Sequence, residues 1–434
     1  MPASANTAFE VRCPLHGTIS FTERERVIVN HPLVQRLRGI SQLGFASLVF
    51  PGATHTRFSH SLGVMHLAGR VFDQIAPTLG LDSAPRERDH WRAVVRLAGL
   101  LHDLGHPPYS HTFEPLLPPK AGLPLPRAWY RRLDISQRST HEDFSVAAVC
   151  ALARETPPLI SEEEARDICA LIDSAIVPGE RMGSGNGRQP ALYPVLKQII
   201  SGEIDADRMD YLRRDAHFAG VAYGHFDLER LIRSLSSAET PQGHTMALDH
   251  GGLYPYENFL MARFHMAMQV YFHKTLLAFE YYLARAVAEG EIDIPLDGSL
   301  ECLLDLREDV VSALLYRSRQ RRWSSRIVNR VPMRRLIELH DPAYQDRREA
   351  ILGRLRDAGV EFVHLREERR LSTQGQPGTL PVFVREDILG RERIRPLHEV
   401  SRLLERYNQV FSVENVYCDA ADYERAAAAL AGLL

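Results

Sequence analysis

The chain has 434 residues, 45% of them hydrophobic and 25% charged. Such proportions exclude a mainly disordered chain, a fibrous repeat and a disulfide-stapled miniprotein. A net charge of −3 excludes a global basic field, so any contact with nucleic acid must be local. At about 150 residues per domain the length corresponds to two or three domains. The five cysteines (Cys13, Cys150, Cys169, Cys302 and Cys418) lie far apart without a CxxC pair, and are expected as lone thiols in a reducing compartment. No basic segment followed by an apolar run opens the chain, and no run approaches the roughly 18 apolar residues of a membrane span. A cytoplasmic protein without a membrane partner is expected. Of the 52 basic residues only three are lysines (Lys120, Lys197 and Lys274), so a lysine is a weak sign that a compact ammonium is wanted.

In chain order, the first twenty-odd residues alternate in polarity (FEVRCPLHGTISFT) and predict a strand or hairpin within an N-terminal segment, residues 1–30. Helical periodicity then dominates, and residues 31–340 are read as one helical domain. Ser59–Leu79 predicts a helix. Trp91–Gly105 is apolar on most sides and predicts a central buried helix. Ser201–Gly220 and Asn258–Glu289 predict two more. Pro115–Thr140 with its five prolines, Pro178–Pro190 and Arg369–Pro381 predict loops. Beyond about residue 345, Val360–Leu365, Leu380–Arg385 and Val413–Cys418 read as strands, and Leu397–Tyr407 and Asp422–Leu433 as helices. Residues 341–434 are therefore expected as a small α+β C-terminal lobe on a mainly α protein.

The dipeptide His-Asp occurs twice. His340-Asp341 precedes a proline and reads as a surface helix end. His102-Asp103 ends a buried helix in LAGLLHDLGHPPYSH, where an imidazole and a carboxylate are costly unless something satisfies them. A metal ion would. His60, near the start of its helix, and Asp207, in IDADRMDYLRRDAHFAG, would complete a mixed N₂O₂ site. That donor set suits a divalent ion such as Mn, Fe, Ni or Co, with Mg or Zn also admissible. Taken singly, each of these residues is more often a hydrogen-bonded core histidine, a cap or an ion pair.

These segments resemble the HD-domain deoxynucleoside triphosphate triphosphohydrolases (dNTPases), the family of the bacterial dGTPases, and within it the branch with SAM- and HD-domain enzymes. The match runs from PLHGTI (Pro14–Ile19) through HPLVQRLRGISQLGFASLVFPGATHTRFSHSLG (His31–Gly63), LLHDLGHPPYSH (Leu100–His111), THEDFS (Thr140–Ser145), IDADRMDYLRRDA (Ile204–Ala216) and RFHMAMQVYFHKT (Arg263–Thr275). It covers the catalytic core alone, and no SAM domain is expected ahead of it. The resemblance implies that His60, His102, Asp103 and Asp207 are metal ligands. It implies cleavage of a deoxynucleoside triphosphate (dNTP) at the α-phosphorus, to deoxynucleoside and tripolyphosphate.

That chemistry also needs a proton donor for the leaving oxygen and cations for the triphosphate. His111 and Glu114, spaced i, i+3, would share a face if a helix begins at Tyr109, making His111 a candidate acid oriented by Glu114. His106 is a second catalytic candidate. His141 and Glu142 are expected to support the site from behind. Asp207, Tyr211 and Asp215 recur every fourth residue and would span about 12 Å of one helix face. The resemblance assigns Tyr211 to the sugar face, Asp215 to its 3′-hydroxyl, and Arg208, Arg57 and Arg263 to phosphate. Tyr271 would stack near the base, Gln42 and Leu43 would lie beside sugar and base, and Lys274 would meet phosphate at the active site or a neighbouring nucleotide site.

Nucleotide-activated members carry an aspartate where this chain has Asn30 and a lysine near Phe9–Arg12, whereas Arg38 is retained. GTP-type activation is not expected, and another nucleotide activator is left open. The resemblance implies a homo-oligomer, with a tetramer among the options. Arg317–Arg335 holds eight arginines in 19 residues. It reads as an exposed charged helix and turn, an activator or oligomer contact, or a nucleic-acid patch with Trp323 stacking on a base. Two other readings remain: another HD-type nucleotide phosphatase or phosphodiesterase, and a nucleic-acid-binding regulatory protein with a vestigial site.

Overall fold

An antiparallel hairpin opens the described chain, β1 (Phe9–Cys13) pairing with β2 (Gly17–Phe21) in the register Val11 to Ile19. The structure is a computed structural model. It describes residues 9–184, 190–294, 297–341, 344, 346–407 and 410–433, with the side chains of His111, Arg406 and Tyr407 outside the described set. Helix α1 (Glu23–Val29) starts at a capping box between Thr22 and Glu25. Its Glu25 also takes Arg96 as a buried ion pair at 2.6 Å, which ties the hairpin region to the helical centre.

That centre is α2 (Arg57–Ile75), packed against α3 (Pro85–Leu101) and α7 (Ala206–Ala219). Around them stand α4 (His141–Arg154), α5 (Glu162–Ile172) and α6 (Tyr193–Ser201). The central helix expected at Trp91–Gly105 begins earlier, at Pro85, which suits a first helical position. It shares the centre with α2, which is buried around more of its circumference.

Two long helices expected from periodicity are each broken. Ser201–Gly220 divides after Ser201, and α7 restarts with Asp205 accepting from the Arg208 amide as its N-cap. Asn258–Glu289 divides into α8 (Leu253–Met266), a π-helical turn over Ala267–Tyr271, and α9 (Lys274–Ala288) capped by His273. Apolar spacing runs straight through both breaks, α6 and α7 packing on one core and α8 and α9 on two adjoining ones.

Four strands, Leu235–Thr240, Gly243–Asp249, Arg334–Glu338 and Arg391–Pro396, went unread, whereas the strand expected at Leu380–Arg385 forms at Phe383–Ile388. β3 (Leu235–Thr240) and β4 (Gly243–Asp249) form a hairpin. β7 (Phe383–Ile388) adds parallel to β4, and β8 (Arg391–Pro396) closes the order β3-β4-β7-β8. β5 (Arg334–Glu338) pairs antiparallel with β9 (Val410–Cys418), which also pairs with β6 (Phe362–Arg370). Strands of sequence RRLIE and RERIRP show few apolar positions, so period two is hidden. Helices α12 (Arg348–Asp357) and α13 (Tyr423–Leu430) join this second sheet around Ile337, Ile351, Leu355, Val416 and Leu430. The protein is thus mainly helical with α+β structure towards its C-terminus. No helix among the described residues is long and apolar enough to cross a membrane.

His340-Asp341 follows a strand rather than ending a helix. The arginine-rich segment folds as the end of α10 (Glu308–Arg317), α11 (Arg322–Val328) and the start of β5. Trp323 is 4% exposed, so its ring is core and not a stacking platform for a base. Arg322 and Arg326 pair with Glu361 and Asp419.

Candidate active and metal site

The C-terminus of α3 delivers His102 and Asp103 into a bend that Arg36 clamps from behind. Its buried guanidinium donates to the carbonyls of Leu104, His106, Leu303 and Leu306. The N-terminus of α4 packs against the same bend at Gly105, where a Cβ would sit 2.0 Å from the His141 carbonyl. Ser145 seals the contact, accepting from the Gly105 amide and donating to the His102 carbonyl. His60 enters from the first turn of α2 and Asp207 from the first turn of α7.

These elements enclose a cavity of about 240 Å³. It is lined by His60, His102, Asp103, His106, His141 and Asp207, with Gln42, Arg57, Glu142, Ile172, Ile200, Ser201 and Tyr211 completing the wall. His60 Nδ1 donates to Asp210 at 2.8 Å, and His102 Nδ1 to the Gly99 carbonyl at 2.9 Å. Each ring therefore directs its other nitrogen, Nε2, at carboxylates. His60 Nε2 lies 3.0 Å from Asp207 and 3.7 Å from Asp103. His102 Nε2 lies 3.2 Å from Asp103 and 3.6 Å from Asp207, and finds no hydrogen-bond partner among the described residues. A lone pair facing a carboxylate at such distances requires a proton or a cation between them.

The electrostatics repeat the demand. Burial opposes charge on His60, but Asp207 and Asp210 outweigh it and push the imidazole up to about 10. Burial likewise opposes charge on His102, and Asp103 and Asp207 raise it. Asp103 is held well below the usual carboxylate range, because His102 and Arg57 overcome the burial that would raise it. A divalent ion satisfies His60, His102 and Asp207 without those protons, since their donor atoms lie within 4.8 Å of one another, while Asp103 groups with His106 and His141 beside them.

A second cluster adjoins the first. His106 Nε2 is 3.3 Å from Asp103, and its ring stacks on His141 with centroids 3.9 Å apart. Burial and Arg57 press His106 well below its ordinary value. Burial also opposes charge on His141, yet Glu114, Glu142 and Asp103 raise it. His141 and Glu142, expected behind the site, line the cavity itself. The helix expected from Tyr109 is instead two short 3₁₀ turns, Ser110–Thr112 and Glu114–Leu116. Tyr109 and Ser110 have positive φ, Arg57 grips the Ser110 hydroxyl, and Pro107, Pro108 and Pro115 break the run. The i, i+3 face assumed for His111 and Glu114 does not form. Glu114 bonds His141 Nδ1, and the His111 side chain lies outside the described residues.

The other candidates divide. Arg57 lines the cavity and is paired to Asp103. Gln42 lines it with a buried Oε1 that has no partner among the described residues. Tyr211 lines it, with Tyr271 edge-on at 6.1 Å. Asp215, one face along α7, is 2% exposed and bridges His55 Nε2 and the Tyr271 hydroxyl, each at 2.8 Å. Arg208 and Arg263 stand outside the wall, held by Asp205 and Glu203. Leu43 packs into the core beside Gln42, and Lys274 is exposed at the start of α9. Asp210, Arg36, His55 and Glu203 were missed. Asp210, Arg36 and His55 stood within the matched segments, but their partners come from other parts of the chain.

The HD domain family model matches residues 57–215, and the model of the HD associated region matches residues 226–339. This chain belongs to the HD-domain family. The deoxynucleoside triphosphate triphosphohydrolase SAMHD1 of Homo sapiens is 36% identical over 239 residues, 51% of this HD-domain chain and 34% of its own. The SAMHD1 homologue of Dictyostelium discoideum is 30% identical over 291 residues, 66% and 50% of the two chains. The protein YwfO of Bacillus subtilis is 34% identical over 257 residues, 58% and 48%. The chain spans about half, or less, of the length of these relatives. Among solved structures, a hypothetical protein from Aquifex aeolicus superposes with a TM-score of 0.75 at 28% identity, covering 97% of this chain and 99% of that one. A phosphohydrolase from Bacteroides thetaiotaomicron shares the fold, with a TM-score of 0.69 at 24% identity over 95% and 99%.

Proposed function

We propose that this HD-domain protein hydrolyses deoxynucleoside triphosphates at the α-phosphorus, releasing deoxynucleoside and tripolyphosphate. The observation that carries the reading is the convergence of His60, His102, Asp103 and Asp207 on one cavity, with Tyr211 on its wall and Asp215 one turn further along the same helix. The SAMHD1 relatives supply the substrate class. A divalent ion held by those four residues would supply Lewis-acid activation of phosphate and water.

The chain's own groups do the rest. Arg57, anchored by Asp103 and Ser110, presents a fixed guanidinium at the phosphate side of the cavity. His141, held at Nδ1 by Glu114, offers the proton for the departing 5′-oxygen, and His106 braces it by stacking. His111, next along this loop, is retained as an alternative donor. The Gln42 oxygen, without a partner among the described residues, is an acceptor for a sugar hydroxyl. Tyr211 covers the sugar face, with Asp215 fixed behind it by His55 and Tyr271. Arg208, Arg263 and Lys274 are the reserve of cations for the outer phosphates.

Incubating the protein with each dNTP, singly and mixed, with Mn²⁺ or Mg²⁺, tests this. Deoxynucleoside with intact tripolyphosphate supports it, whereas orthophosphate or pyrophosphate points to another HD-type phosphatase. Turnover only in mixtures indicates an activator. Its candidate seat is a hollow of about 490 Å³ lined by Arg38, Ser41 and Thr56 among others. The reading extends to a cytoplasmic homo-oligomer, for which sizing with and without nucleotide is the check.

A further inference from the structure

We propose that His16 is a positioning residue for the metal ligand His60, acting through the carboxylate of Asp210. The inference rests on the metal reading of the cavity. His16 sits in the turn between β1 and β2, ahead of the residues matched by the HD domain family model. Its side chain is 1% exposed, and its Nε2 lies 2.6 Å from Asp210 Oδ1. The other oxygen of Asp210 accepts from His60 Nδ1 at 2.8 Å. Arg214 adds a fork, Nε at 2.7 Å and Nη2 at 2.9 Å.

An ionised carboxylate only accepts, so four donors fill Asp210 and His60 must carry its hydrogen on Nδ1. That assignment leaves the Nε2 lone pair for the cavity. The opposite tautomer would aim an N–H at the metal position. Arg214 lies one turn from Asp210 on α7, so those two side chains can swing together. His16 comes from the hairpin and fixes the carboxylate against α2 from a separate element. Helix α2 is hollowed to admit the group: a Cβ on Gly63 would sit 1.9 Å from Asp210 Oδ1 and 2.5 Å from Arg214 Nη2. Partners behind a metal-bound histidine commonly set metal affinity by 10- to 100-fold.

The test is calorimetric titration of the full, metal-free chain with Mn²⁺, beside its thermal melt. His16→Leu keeps bulk and removes the donor. His16→Gln keeps an N–H that reaches Asp210. The expected result is Mn²⁺ affinity at least about 10-fold weaker in His16→Leu. Most of it returns in His16→Gln, with metal-free melts alike in the two variants. Equal affinity in wild type and both variants overturns the role of His16 while leaving the metal site intact. Parallel loss in both variants with a lowered metal-free melt overturns it in favour of a plain folding role. No Mn²⁺ binding by wild type overturns the metal reading instead. If His16→Leu does not fold, Asp210→Asn reads the same link. It is expected to lose at least the same factor, and unchanged affinity there overturns the proposal.

Discussion

The imidazole of His141 lies on that of His106, ring centroids 3.9 Å and planes 22° apart, with Glu114 bonded to the outer nitrogen of His141. Two stacked rings share one approach to the cavity: Glu114 bonds Nδ1 of His141, whereas Nε2 of His106 faces Asp103 at 3.3 Å. In the proposed reaction His141 is the proton carrier and His106 its brace. Replacing Glu114→Gln keeps the shape and removes the charge. Turnover is expected to fall by about 10²-fold, within the range of general acid catalysis, with Mn²⁺ affinity unchanged. Steady-state kinetics beside calorimetry checks this, and undiminished turnover would remove His141 from the acid role.

Asp207 faces both His60 and His102. Asp207→Ala is expected to abolish turnover and divalent-ion binding while the fold persists, since the side chain is a third exposed and carries little packing. Chelation of wild type should reproduce the loss, and added Mn²⁺ should reverse it only in wild type. Full activity in the variant would sink the ligand assignment.

Gly63 is a helix-interior glycine, where alanine would ordinarily stabilise by about 1 kcal/mol. Here the added methyl meets Asp210 and Arg214. Gly63→Ala should instead destabilise by roughly 1–3 kcal/mol, as overpacking does. It should also weaken Mn²⁺ binding. A melt above that of wild type would contradict the close approach.

Asp167 gives a pH signature away from the cavity. It is 1% exposed and accepts the Gly179 amide at 2.7 Å through Oδ1, while Oδ2 finds no partner among the described residues. Burial, aided by Glu163, raises it to about 6 from an ordinary 3.8. The folded state then binds the proton more tightly than the unfolded chain. Stability therefore falls as pH rises from about 4 to about 6, and stays lower above that. Asp167→Asn, which retains the amide acceptor, should raise stability at pH 7.5 by up to about 3 kcal/mol, read as a higher melt. The gap should close near pH 4. Melts at four pH values decide it, and a pH-independent gap would remove the titration from the account.

Fold class was legible, and the proposed metal ligands could be named, because both signals are local. Apolar spacing marks α2 and α3 wherever they pack, and His102-Asp103 at the end of a buried stretch is costly without a cation. The ordered motifs named His60 and Asp207 before their distance was known. The breaks at Gly202–Asp205 and Phe272–His273 were not legible, since period 3.6 continues through them. Nor were β5 and β8, whose arginines mask alternation.

Sequence alone thus determined a helical HD-type protein, and it offered four candidate ligands and a set of cationic and aromatic candidates, because residue type and spacing carry that information. Tertiary structure decided the pairings. Glu114 could have served a neighbour three residues away on a helix, but the prolines and the Arg57–Ser110 contact turn the chain, and it meets His141. His16 and Asp210 lie in separate motifs and join only when the hairpin docks on α2 and α7. Spacing orders groups within one element, whereas hydrogen bonds between elements depend on how those elements pack.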